Sequence, residues 1–284
     1  MAELKVWFIT GASSGFGRCM TDYLLKRGHK VVATLRKPEV LSDIVSKYPP
    51  TQLVVAKVDV TQNADIAAAF NKAQEAFGRI DVVFNNAGQM IAAEVESIDE
   101  ADARGLFDIN FWGAAQVSRE AVRFFREVNN PRGGRLLQVG SAMGLVGHTA
   151  CAFYSASKHA LEGFSESLAY ELEPAWNIKI TVIEPGPFLT QISQTNRHMV
   201  PVHPAYADPS SESSRFRAHF AQGTFYDGDP DKACVTFEKV SLLDDPPIRL
   251  PLHRAVLEMA AGKAKSLLDI VAKYGSWSDD LYFD

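Results

Sequence analysis

The run Thr10-Gly11-Ala12-Ser13-Ser14-Gly15-Phe16-Gly17 constrains this chain more than any other feature. It follows a short apolar stretch at residues 5–10 that reads as a strand. It precedes a helical stretch at residues 18–27 that stops at Gly28, the residue type that best takes the left-handed conformation after a helix. Three glycines between a strand and a helix permit a tight turn and let the main chain approach a ligand closely. The first N–H groups of the helix, backed by its positive dipole end, then form a seat for a pyrophosphate. No Gly-Lys-Ser/Thr follows at P-loop spacing, which excludes that alternative. The pattern fits a dinucleotide-binding turn made of Gly11, Ser13, Ser14, Gly15, Phe16 and Gly17.

The rest of the chain repeats this order. Strands are expected at residues 30–34, 52–58, 80–84, 134–139 and 177–183. Helices are expected at 62–77 behind a Thr61 cap and closed by Gly78, at 106–126 and at 152–173. Strand–helix alternation with short connections implies an α/β fold: a doubly wound, mostly parallel sheet of Rossmann type with helices on both faces. Such sheets bind ligands beyond the carboxyl ends of their strands. One domain over residues 1–284 is expected. After Pro185 the composition shifts to prolines (Pro187, Pro201, Pro204, Pro209) and serines. Residues 187–230 read as a substrate lid with short helices at 188–196 and 211–222. Asp229-Pro230 opens a helix to about residue 243, residues 248–250 form a last strand, and helices at 253–261 and 263–274 follow.

Composition narrows the classes. Lys and Arg number 29 against 34 Asp and Glu, a net charge of −5, so no nucleic-acid footprint is expected. No apolar run approaches the roughly twenty residues of a membrane span, and residues 1–9 lack a secretory h-region and cleavage site. Cys19, Cys151 and Cys234 form no CxxC pair and no zinc spacing. Reduced thiols, a cytoplasmic location and no metal site are the expectation.

An acidic residue about twenty positions past the glycines would hold the ribose 2′-hydroxyl of NAD. Here the second strand ends in Thr34-Leu35-Arg36-Lys37, with no carboxylate before Glu39. A guanidinium at Arg36 suits a 2′-phosphate through paired charge-assisted bonds, aided by a Ser13 or Ser14 hydroxyl. NADP(H) is therefore expected over NAD(H), the plain alternative being that Arg36 and Lys37 are solvated charges. Farther on, Tyr154 and Lys158 lie four apart, one helical turn, and share a face. A phenol is too weak an acid to exchange protons readily near neutrality, and a neighbouring ammonium lowers its pKa. Ser141 follows a strand, where its hydroxyl can bond a substrate oxygen. Asn110 offers an amide that can hold a water. By themselves, Ser141 also reads as a turn residue and Asn110 as a helix polar residue.

With these residues together, the chain resembles the short-chain dehydrogenase/reductase family in its compact form. The Thr10-Gly11-x-x-x-Gly15-x-Gly17 turn matches its cofactor turn, and Asn85-Asn86-Ala87-Gly88 its second signature. The resemblance implies that Asn86, Ala87 and Gly88 flank the cofactor and that Asp59, beside Val60, contacts adenine. It implies that Pro185 and Gly186 of Pro185-Gly186-Pro187 abut the nicotinamide and that Thr190 bonds its carboxamide. Asn110, Ser141, Tyr154 and Lys158 match the family's tetrad: Tyr154 as acid or base, Lys158 lowering its pKa, Ser141 orienting the substrate, Asn110 keeping a water relay. The Thr34-Leu35-Arg36 segment is similar to the NADP-preferring, hydroxysteroid- and retinol-dehydrogenase-like branch. The match covers residues 5 to about 190. The C-terminal third departs from the common pattern, which puts the usual tetramer in doubt. A homodimer through the helices bearing Asn110 and Tyr154 follows family habit, and a monomer stays open.

The substrate wall is expected from Met143, His148, Cys151, Phe188 and Ile192, with Leu145, Val146 and Phe153 nearby. These are mostly apolar, which favours a hydrophobic ketone or aldehyde and hence a carbonyl reductase. Oxidation of a lipid-like or aromatic secondary alcohol is the enzymatic alternative. A non-catalytic dinucleotide sensor is the alternative from another class.

Overall fold

The computed structural model describes residues 4–190, 198–223 and 226–283. In chain order the elements begin β1 (Val6–Thr10), α1 (Gly15–Lys26), β2 (Lys30–Leu35), α2 (Ser42–Val45), β3 (Leu53–Lys57) and α3 (Asn63–Phe77). Then come β4 (Val82–Asn85), β5 (Ile91–Ala92), α4 (Glu100–Phe107), a π-helical segment (Asp108–Gly113), α5 (Ala114–Glu127) and β6 (Gly134–Val139). These are followed by α6 (Ala142–Leu145), α7 (Ala152–Glu171), β7 (Ile178–Pro185) and β8 (His198–Met199). The described chain closes with α8 (Glu212–Gln222), α9 (Pro230–Ser241), β9 (Arg249–Leu252) and α10 (Arg254–Tyr274).

Seven strands form one sheet in the order β3-β2-β1-β4-β6-β7-β9, with every neighbouring pair parallel. Helices cover both faces, which is why β1 is buried along its whole length rather than on alternate residues. The two faces separate by strand period. Trp7 and Ile9 join Met20, Leu24 and Phe237 on one side, while Phe8 joins Phe70, Phe124 and Phe125 on the other. Phe8 stacks on Phe70 with ring centroids 4.3 Å apart. The order in which strands are added reverses between β1 and β4, and in such sheets ligands bind beyond the carboxyl ends at that point.

Several local expectations are corrected. Helix α1 starts at Gly15 rather than at 18, so the glycine turn is tighter than read. Thr61 does not cap α3: its hydroxyl donates to Asp59 Oδ1 (2.8 Å), and Gln62 holds the cap position without a side-chain bond. The single helix read at 106–126 begins earlier, at α4 behind an Asp99 cap, and passes through the π segment into α5. The last two helices are one, because Gly262 lies within α10; its cost of about 1 kcal/mol is small against 21 helical residues. From residue 261 onward the described chain is exposed throughout. The helix read at 188–196 falls largely outside the described residues. Among the described residues no helix is long and apolar enough to cross a membrane, and no group of three or more His, Cys, Asp or Glu could hold a metal ion.

Candidate active site

The glycine turn is shaped by contacts that exclude side chains. Gly11 and Gly15 have φ of +68° and +52°, a region where only glycine is unstrained. A Cβ on Gly17 would overlap the Gly11 carbonyl and approach Asn86 Nδ2 to 2.8 Å, so α1 sits against the turn with main chain on main chain. Asn86 Nδ2 donates to the Thr10 carbonyl (3.0 Å). The Thr10 hydroxyl donates to Asn85 Oδ1 (3.1 Å) and accepts from the N–H groups of Asn86 (2.9 Å) and Ala87 (3.0 Å). Asn85 in turn donates to Gln138 Oε1 (2.7 Å) and the Ala114 carbonyl (2.9 Å). Residues 85–88 thus brace the turn across β1, β4 and β6.

Ser14 occupies the N-cap of α1 without a side-chain bond to its N–H groups, leaving the first turn's donors at the edge of a cleft of about 1360 Å³. Uncapped N–H groups beside an elongated cleft suit a pyrophosphate. Of the cofactor positions read from sequence, Gly11, Ser13, Ser14, Gly15, Phe16, Arg36, Asp59, Val60, Asn86, Ala87, Gly88, Pro185, Gly186 and Thr190 line it. Gly17 does not; its place is packing. Arg36 is exposed at the rim.

Tyr154, Lys158 and Ser141 line the same cleft. Lys158 Nζ lies 5.9 Å from the Tyr154 ring centroid and donates to the Val139 carbonyl (2.8 Å). Ser141 caps α6 by accepting from the Met143 N–H (3.1 Å). Burial pushes Tyr154 up to about 12 while the Ser141 hydroxyl pulls the other way. Burial also holds Lys158 down to about 8, against the charge of Glu162. The net shift of the tyrosine is upward because burial outweighs the Ser141 hydrogen bond. Asn110 lies wholly buried in the π segment and does not line the cleft. Its Nδ2 donates to the Gln89 carbonyl (2.9 Å) and Ser157 Oγ (3.1 Å), and its Oδ1 accepts from the Gln89 N–H (2.8 Å). Both amide hydrogens are committed, so the amide cannot donate to the water expected there.

On the substrate side Met143, His148 and Phe188 line the cleft, whereas Leu145, Val146, Cys151 and Phe153 do not. Cys151 is buried under the cap, and burial pushes its thiol up to about 12. Ile192 lies outside the described residues. The helix expected at 211–222 is present, but none of the wall residues it contributes was named from sequence. Helix α8 presents Glu212, Arg215, Phe216 and His219, and α10 adds Val256 and Met259. The i, i+3, i+4, i+7 spacing of the α8 set, between Ser211 and Gly223, was the available signal. This wall is more polar than expected. It is fixed to the body by the buried pair Arg217–Glu94 (3.1 Å). Ser213 also donates to Glu94, and Arg217 to the Val200 carbonyl. A two-residue parallel pairing of β5 with β8 adds a second tie.

A family model described as short chain dehydrogenase matches residues 5–201. An oxidoreductase of Schizosaccharomyces pombe is 35% identical over 252 residues, 88% of this chain and 82% of that one. Retinol dehydrogenase 8 of Homo sapiens is 35% identical over 196 residues, 67% of this chain and 61% of that one. A short-chain dehydrogenase of Streptomyces avermitilis superposes with a TM-score of 0.88 at 31% identity, over 99% of this chain and all of that one. Two Burkholderia short-chain dehydrogenases share the fold. That of B. phymatum, solved with NAD, has a TM-score of 0.77 at 22% identity over 93% and 94% of the two chains. That of B. cenocepacia, solved with NADP, has a TM-score of 0.71 at 25% identity over 95% and 97%.

Proposed function

The chain belongs to the short-chain dehydrogenase family, and from that premise we propose that it is an NADP(H)-dependent carbonyl reductase of hydrophobic ketones or aldehydes, built as one domain with residues 187–230 as its substrate cap. The observation that carries this reading is the meeting of Tyr154, Lys158 and Ser141 in the cleft that begins at the glycine turn. When bound there, the cofactor supplies the hydride. Tyr154, held protonated by its high pKa, is suited to deliver a proton to the substrate oxygen in the reductive direction. The Ser141 hydroxyl accepts from Met143 N–H and bonds Tyr154, which sets it beside the group that would hold that oxygen. Lys158, anchored to Val139, lies beside Tyr154 and Gly88 with its charge inside the cleft. Asn110 positions the backbone of Gln89 and the Ser157 hydroxyl instead of touching the reacting atoms.

Arg36, exposed at the rim near Ser13 and Ser14, supports recognition of a 2′-phosphate. Met90, Met143, Phe188, Phe216 and Met259 support an apolar substrate body, and the polar residues of α8 support a polar group at its outer end. The test is to mix purified protein with NADPH or NADH and a panel of ketones, aldehydes and alcohols, following nicotinamide absorbance. Faster turnover with NADPH and an apolar ketone is the expected result. An NADH preference would sink the Arg36 argument, and cofactor binding without turnover would favour a sensor.

A further inference from the structure

Behind Lys158 the structure holds a charged cluster that the reading above leaves unused. Tyr154, Lys158, Glu162 and Glu166 follow one another every four residues along α7 and so form one stripe. Arg249, at the start of β9, reaches across to this stripe. Its Nη1 donates to Glu162 Oε2 (2.6 Å) and Glu184 Oε1 (3.0 Å), and its Nη2 to Glu166 Oε2 (3.0 Å). Glu162 and Glu184 are almost wholly buried, at 2% and 0% exposure, while Glu166 is half-buried. One guanidinium thus serves three carboxylates. With all groups ionised, three carboxylates face one guanidinium and leave two negative charges unbalanced, and Lys158 is the next cation along the stripe.

The placement of Glu162 is specific. Its Oε1 is buried without a hydrogen-bond partner and points at the segment that carries Ser141. A Cβ on Gly144 would overlap this oxygen, and one on Gly140 would stand 3.2 Å from it. A buried carboxylate oxygen with no donor is costly, and the cost is offset where a nearby cation gains from the charge. The ionisable groups facing Glu162 are Tyr154, Lys158 and Glu166 on its own helix, Glu184 on β7 and Arg249 on β9. Residues 140–145 add none.

We propose that Glu162 is the buried counter-charge of Lys158, a positioning residue that keeps the lysine an ammonium through neutral pH and is itself held in place by Arg249. The inference rests on the reading of Lys158 as part of the reductase site. Burial, with the charge of Glu184, pushes the Glu162 carboxyl up against the pull of Arg249 and Lys158, and burial draws the Lys158 ammonium down against the pull of Glu162.

The test is Glu162→Gln, which keeps the shape and removes the charge. The titration midpoint of Lys158 is followed by NMR of its 13Cε signal, assigned by its loss in Lys158→Met. In the same variant, the alkaline limb of ketone reduction is followed at saturating NADPH. Both are expected to move to lower pH by about one unit, the size of effect that a nearby opposite charge exerts. Glu162→Asp is expected to keep both near wild type. An unmoved Lys158 midpoint in a folded Glu162→Gln protein overturns the inference, even if thermal stability falls, because Glu162 would then be packing only. A moved midpoint in a protein that reduces no carbonyl supports the counter-charge and sinks the reductase reading instead.

Discussion

At the glycine-turn end of the cleft the walls are main chain. Gly17 abuts the Gly11 carbonyl, and Asn85, Asn86 and Thr10 are tied to one another by hydrogen bonds of 2.9–3.1 Å. At the cap end the wall is held by side chains: the Arg217–Glu94 pair, the Ser213 hydroxyl and two rungs between β5 and β8. Beside its N–H groups, which suit a pyrophosphate, the first end carries few side chains that could discriminate, Arg36 at the rim among them. The second can be re-shaped by exchanging side chains on α8 without disturbing the sheet. In the reading proposed above, cofactor binding and substrate selection fall to different parts of the cleft that Tyr154 also lines.

The sharpest probe is that boundary. Tyr154→Phe should lower turnover by about 10²–10⁴-fold while the dissociation constant of NADPH, followed by fluorescence, stays near wild type. Wild-type-like turnover would remove the proton-transfer role. Next, Arg217→Met should strip about 3–5 kcal/mol from the cap by leaving Glu94 buried and unpaired. Hydrogen exchange should then rise across α8 while the amides of β1 and β4 stay protected. Equal loss at both ends would show that cap and sheet are one cooperative unit. Gly17→Ala should cost about 1–3 kcal/mol and weaken cofactor binding, measured by thermal unfolding with and without NADPH, with substrate preference unchanged. Arg36→Leu should reduce the preference for NADPH over NADH by about tenfold, or about 1.4 kcal/mol. An unchanged ratio of kcat/KM values would make Arg36 a solvated charge.

The smallest effect is one of pH. Burial works to raise the Glu94 carboxyl, but the Ser213 hydroxyl, its backbone and Arg217 outweigh it and hold it below the ordinary value. A carboxylate lowered by folding adds stability above its unfolded pKa of about 4.3. That contribution is lost as pH falls through the folded value. Cap amides should therefore exchange faster in acid before the sheet does.

What could be read from the sequence followed the same division. The cofactor end is local: glycines, a strand and a helix contiguous in sequence fix the turn, and its position after β1 distinguishes it from other glycine turns. The Tyr154 and Lys158 pair was legible because both lie on one helix. The helix of the cap wall was legible at 211–222, but what anchors it was not, since Glu94 meets Arg217 only through the tertiary fold. The π segment around Asn110 was equally invisible, because Gly113 must approach the Val60 carbonyl for the chain to widen there. Arg249 lay in a segment read only as a short edge strand, and nothing in its neighbours points to three glutamates.

Helix α10 has a consequence for how the molecule moves through water. Only its first residues, Ala255, Val256 and Met259, reach the cleft, yet it continues to Tyr274, for a length of about 31 Å at 1.5 Å per residue. Its outer part is exposed, with Leu267, Leu268, Ile270 and Val271 all in solvent. A single copy of this chain therefore drags a rod behind a rounded body. Its frictional ratio exceeds that of a sphere of equal mass, and it sediments more slowly than 284 residues would suggest.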